Sequence, residues 1–216
     1  VPPRGFLWYQ GESDVGRGDY EANLKQLIAG YRDDLGRPDL WFGIVQIATN
    51  QFQTDLAAWV GLQEQQRRVA ETTPNVVITA AVDQPRSDSI HLSVEGYKTM
   101  GARLAAEFRE RFYGEPVDAS ARFLSATVVG NGRRIELTYD RNVTGGTAGL
   151  YRVFDGTIPV SVNGLSVSGP TITLSLGSRV APGVTVSYGY STSPTSAWVT
   201  DTGGTAVLCF KDFPVD

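Results

Sequence analysis

The sequence predicts an α/β half, built on a partial parallel sheet of three strands, followed by an all-β, sandwich-like module. Three observations carry that expectation. Apolar runs alternate with segments of helical period through residue 112, the pattern of strands joined by crossover helices. The runs at 5–9, 40–48 and 75–82 are rich in apolar residues throughout, as in strands covered on both faces. Beyond Gly114 the chain becomes rich in Gly, Ser, Thr and Val, with turn signals every few residues.

Taken in order, Gly5 to Tyr9 reads as a buried strand that opens into the polar run Gln10-Gly11-Glu12-Ser13-Asp14. Tyr20, Leu24, Leu27, Ile28 and Tyr31 then share one helical face, with Asp19 suited to the helix start and Gly36 and Pro38 to its end. Arg17-Gly18-Asp19 also spells an adhesion string, but the helix start is the better use of Asp19. Leu40 to Ala48 is the second strand. A helix from about Asp55 to Glu71 carries Leu56, Trp59, Val60, Leu62 and Val69, and Asn75 to Val82 is the third strand. Ser93 to Phe112 is a long amphipathic helix, with Ser93 and Glu95 placed to start it. Residues 1–114 thus form the α/β part, 115–119 a linker and 120–216 the β module. Within the module we expect strands at 123–129, 134–139, 149–154, 160–162, 171–176, 184–190 and 206–210, with a hairpin turn at Asn131-Gly132.

Composition narrows the function. Nineteen Lys and Arg against 23 Asp and Glu give a net charge of -4 with no basic block, which argues against nucleic acid and acidic membrane surfaces. No apolar run approaches the roughly 18 residues that span a bilayer. Cys209 is the only cysteine, so no internal disulfide and no thiolate metal cluster is expected; with one histidine, only oxygen ligands remain for a metal, and none is predicted. Asn142-Val143-Thr144 fits the glycosylation triplet, a pattern common by chance.

His91 is the only histidine. It could be structural, yet Asp88-Ser89-Ile90-His91 lies in a polar loop between strand and helix, at the same sheet end as Gln10 to Asp14. An aspartate three residues ahead can accept the imidazole Nδ1–H, which fixes the tautomer and leaves Nε2 as a general base. The Gln10 to Asp14 run could equally be a simple capping turn. Trp8, Trp41 and Trp59 fit core patterns, whereas Trp198 lies in a loop, either as a sugar-stacking platform or as a cover for the module's open end.

Trp8-Tyr9-Gln10-Gly11-Glu12-Ser13-Asp14, with Asp88-x-x-His91 downstream, resembles the SGNH/GDSL-type hydrolases, in particular the sialate O-acetylesterase-like carbohydrate acetylesterases. The resemblance covers residues 5–112, including the stretch from Trp59 to Gln66, and extends more weakly to the β module through Tyr188 to Phe213. It implies a flavodoxin-like sheet, of which this chain holds three strands. It also implies a Ser-His-Asp triad with His91 as base and Asp88 as its orienter, Gln10 as an oxyanion-hole donor, and Gly11, Glu12, Ser13 and Asp14 as loop support. No cofactor is implied. The substrate implied is an acetylated glycan, and an extracytoplasmic setting goes with it.

The family's nucleophile block, Gly-Asp-Ser or Gly-Gln-Ser, does not occur here, and the first residue, Val1, is neither an initiator Met nor part of a leader. We therefore expect an upstream segment or companion chain that carries the nucleophilic serine. Ser13 is the rival nucleophile within the chain, although Gly11-Glu12-Ser13-Asp14-Val15 lacks the second glycine of a nucleophile elbow. A catalytically inactive glycan- or protein-binding module is the alternative reading.

Overall fold

The computed structural model describes residues 3–117 and 119–216; Val1, Pro2 and, within the expected linker, Asp118 lie outside that range. Strands β1 (Gly5–Trp8), β2 (Trp41–Gln46) and β3 (Val76–Ala80) form a parallel sheet in that order. Each successive pair is joined by a helix, α1 (Tyr20–Asp34) and then α2 (Leu56–Thr72). Tyr20, Leu24 and Ile28 repeat every four residues and bury one stripe of α1 beside Trp59, Leu62 and Val69 of α2. Both helices cover the sheet face that carries Phe42, Ile44, Val76 and Ile78. The third helix, α3 (Val94–Tyr113), covers the opposite face, where Met100 and Leu104 pack on Val45 and Val77.

Local chemistry sets the helix boundaries. Asp55 accepts the Ala58 N–H at 2.9 Å and Ser93 accepts the Gly96 N–H at 3.2 Å, so each satisfies a donor that helix geometry leaves free. Asp19 stands just before α1, but its carboxylate is taken by Arg17 at 3.0 and 2.9 Å and caps nothing.

Two four-stranded antiparallel sheets follow. One joins β4 (Phe123–Val129), β5 (Arg134–Tyr139), β10 (Thr171–Leu176) and β9 (Val162–Ser168). The other joins β13 (Phe210–Pro214), β11 (Thr185–Tyr188), β7 (Tyr151–Asp155) and β8 (Ile158–Val160). A short pair, β12 (Val199–Asp201) with β6 (Val143–Gly145), lies apart from both. All share one core, which also takes in Ala80 and Val82 from the end of the parallel sheet. The mixed α/β fold class is the one the sequence predicts. Asn131 and Gly132 turn the β4–β5 hairpin with φ of 56° and 80°.

Several strands differ from expectation. The run predicted at 206–210 is displaced to β13, because Ala206, Val207 and Cys209 are buried, and Leu208 half-buried, without a regular ladder partner. A side chain takes the ladder's place: Gln46 Oε1 accepts the Cys209 N–H at 2.8 Å, and Gln46 Nε2 donates to the Cys209 carbonyl at 2.9 Å and to the Gln63 carbonyl at 2.9 Å. The segment predicted at 160–162 is the junction of β8 and the unforeseen β9, whose Asn, Gly and Ser residues hide its alternation. Trp198 is a cover, 4% exposed, with its indole N–H on the Ser193 carbonyl at 3.2 Å.

Removing the Gln46 amide strands two buried carbonyls and one N–H. Gln46→Leu should lower unfolding free energy by about 2–4 kcal/mol in urea titration. A change below about 0.5 kcal/mol would mean that the amide does not hold the two parts of the molecule together.

Candidate active site

The loops that follow β1, β2 and β3 gather at the carboxyl edge of the parallel sheet, where open α/β sheets bind ligands. Arg86 joins two of them. Its Nη1 donates to the Thr49 carbonyl at 2.8 Å and to the Ser89 carbonyl at 2.9 Å, while the Gln51 N–H reaches the Ser89 carbonyl at 2.9 Å. Tyr9, just past β1, meets Tyr97 in the first turns of α3 edge-on at 5.9 Å between ring centroids.

Asp88 and His91 are in contact. The imidazole Nδ1 lies 2.8 Å from Asp88 Oδ2, and Asp88 Oδ1 accepts the N–H groups of Ile90 at 2.8 Å and His91 at 2.7 Å. One carboxylate therefore both folds the loop and orients the ring. The donations from the His91 and Ile90 backbones, and then from the imidazole, hold the Asp88 carboxyl well below the usual carboxylate range. The hydrogen bond and charge of Asp88 push His91 above the ordinary imidazole value, and Glu12 adds to this from the neighbouring loop. Both side chains are open to solvent, at 69% and 52% exposure. With Nδ1 committed to Asp88, Nε2 is the ring nitrogen left for another partner.

Gln10 is held at three points. Its Nε2 donates to Asp14 Oδ2 at 2.7 Å, and its carbonyl accepts from the Tyr20 hydroxyl at 2.7 Å and from Gln66 Nε2 at 3.0 Å. A side-chain amide has two N–H donors, so one remains after the bond to Asp14. Gly11 is buried against α2, where a Cβ would lie 2.6 Å from Leu62 Cδ2. Glu12 to Asp14 form one tight helical turn, closed by the Asp14 N–H on the Gly11 carbonyl at 2.9 Å. Ser13 is exposed, and among the described residues no hydrogen bond joins its hydroxyl to His91.

The supporting groups were only partly visible in the sequence. Trp59, Gln63 and Gln66 form an inward polar stripe on α2: the indole donates to the Ala48 carbonyl at 2.9 Å, Gln63 to the Ile47 carbonyl at 2.8 Å, and Gln66 accepts the Ile47 N–H at 2.9 Å. Two glutamines at inward helical positions were the available signal. Arg86 and Tyr20 carried none that would single them out, one being a charge in a polar loop and the other an aromatic on an apolar stripe.

Residues 3–110 match the profile of a family described as "Carbohydrate esterase, sialic acid-specific acetylesterase". A probable carbohydrate esterase of Arabidopsis thaliana is 34% identical over 50% of this chain and 41% of that protein. The crystal structure of a carbohydrate acetylesterase from Xanthomonas citri superposes with a TM-score of 0.81 at 24% identity, covering 97% of this chain and 50% of that one. The chain thus spans half or less of the length of these relatives.

His91 is the sole imidazole, so its titration can be followed by NMR without assignment ambiguity. The wild-type ring should titrate above about 6.5, and Asp88→Asn should bring it back toward that value. A wild-type ring that titrates at or below it would contradict the pairing with Asp88.

Proposed function

Because the chain belongs to the family of carbohydrate esterases described as sialic acid-specific acetylesterases, we propose that it carries the base, the orienting acid and one oxyanion donor of a serine esterase that removes O-acetyl groups from a glycan. The observation that carries this reading is the Asp88–His91 contact beside the Gln10 loop. In the proposed reaction a serine hydroxyl attacks the acetyl carbonyl carbon while His91 Nε2 takes its proton. The imidazolium so formed is stabilised by Asp88. The oxyanion of the tetrahedral intermediate accepts the second N–H of Gln10, whose first is fixed by Asp14. Collapse expels the sugar hydroxyl, which takes the proton back from His91 and leaves an acetyl-serine. A water activated by the same imidazole then releases acetate. No cofactor takes part, and sialic acid or another acetylated sugar is the substrate class.

The serine is proposed to come from a segment or companion chain outside these 216 residues. The free edge of β1 supports this. Leu7 is 66% exposed there, and a hollow flanks each side of the strand. One is lined by Leu7, Trp41, Phe108 and Phe112, the other by Trp8, Gln10, Tyr20 and Leu24. An open parallel edge with apolar flanks is the shape that a further strand and its connections would fill.

Hydrolysis of a chromogenic acetyl ester tests the reading, with the chain alone and with the chain joined to the proposed serine-bearing segment. Turnover is expected only in the joined form, reduced about 10²–10⁴-fold by His91→Ala and about 10²–10³-fold by Gln10→Ala. Turnover by the chain alone, lost with Ser13→Ala, would transfer the nucleophile to Ser13. A folded joined form with no turnover, but with glycan binding, would reduce the site to a binding one.

A further inference from the structure

Arg111 stands near the C-terminal end of α3, seventeen residues and so about 25 Å along the helix from Val94, at the opposite end from the His91 loop. It lines a cleft of about 310 Å³ between α2, α3 and the antiparallel part, a volume at the small end of ligand sites. The apolar surface of the cleft comes from Ile78, Phe123, Leu124 and Leu208. Three guanidinium groups and the Glu71 carboxylate border it, and the guanidinium groups are not equivalent. Arg67 is already paired, with Nε, Nη1 and Nη2 each bonded to a carboxylate: both oxygens of Glu64 at 2.8 Å, and Glu71. Arg122 reaches Glu110 at 3.3 Å and Asp140 at 3.4 Å. Arg111 has one acidic contact among the described residues, Glu107 Oε2 at 3.6 Å, which is too long for a hydrogen bond. Burial and then the like charge of Arg122 disfavour its charged form, and the negative charges of Glu107, Glu110 and Asp140 offset them only in part.

We propose that this cleft is a second ligand site, which binds a small amphipathic carboxylate with its head group on Arg111 and Arg122 and its apolar body against Phe123, Leu124 and Leu208. The guanidinium fork matches a carboxylate through two parallel N–H···O bonds. A bound carboxylate would give Arg111 an acceptor at closer range than Glu107 and offset its repulsion from Arg122. The apolar surface discriminates against an anion with no hydrocarbon body, and the arginines against a neutral hydrocarbon. This inference does not depend on the esterase reading.

Isothermal titration of the 216-residue chain with octanoate tests it, using acetate and octanol as the two half-ligands. Saturable octanoate binding is expected, at least about tenfold tighter than either half-ligand and weakened about tenfold or more by Arg111→Met and by Arg122→Gln. Arg122 is 43% exposed, so its substitution remains informative if the helix variant fails to fold. No saturable binding by folded protein, octanol binding as tightly as octanoate, or octanoate binding indifferent to Arg122→Gln would each overturn the proposal.

Discussion

The Gln46 side chain, at the end of β2 and wholly out of solvent, bonds the backbone of Cys209 through both its oxygen and its nitrogen. A buried amide is costly unless each of its groups is matched, and here the same amide also reaches the Gln63 carbonyl of α2. Three parts of the molecule therefore meet at one side chain: the central strand, the helix over it, and the segment that leads into β13. Arg103 makes a second tie at the next strand end, holding both oxygens of Asp83 at 2.8 and 2.6 Å and the Ala80 carbonyl at 2.9 Å, with Gly204 at 3.3 Å beyond them. Polar groups, as much as apolar packing, join the parallel and antiparallel parts.

Those ties reach the candidate site by one step. Beyond Gln46 the backbone leaves the ladder, and Trp59, Gln63 and Gln66 take over the bonds of Ile47 and Ala48. Gln66 passes the constraint on to the Gln10 carbonyl, so one helix face supports the ends of both β1 and β2. The Asp88–His91 loop is organised differently. Its acid satisfies the loop's own N–H groups, and the loop holds its shape from within while Arg86 sets its place. Placement and internal geometry are separate here, and different residues supply them.

What was legible in the sequence follows from range. The parallel strands and the three helices were readable because their period is local, and Asp55, Ser93 and Gly114 mark boundaries through bonds or φ angles a few residues away. The contact of Asp88 with His91 was readable for the same reason, since three residues of loop suffice to close it. Gln46 was not, because its partner lies 163 residues on and nothing in a continuous apolar strand announces a glutamine that bonds across the molecule. The displaced strand at 206–210 is the same fact seen from the other side: Ala206, Val207 and Cys209 look like strand because they are buried, and at Cys209 the backbone bonds Gln46 in place of a neighbouring strand. β6 and β12, three residues each, are too short to show any period.

The reach of that amide also bears on the order in which a nascent chain can mature. Emerging from a ribosome, β1, β2 and β3 with their helices become available long before Cys209 does, and until then Gln46 has only the Gln63 carbonyl to bond. The same late stretch stitches the antiparallel sheets, since Val128 N–H bonds the Asp216 carbonyl at 2.7 Å and Gly183 N–H the Val215 carbonyl at 2.8 Å. Pairings this far apart in sequence close slowly, after local structure has formed. Vectorial synthesis thus leaves a half-made molecule with a wetted seam between its two parts, and its final cooperative closure waits on the segment translated last among those the amide joins.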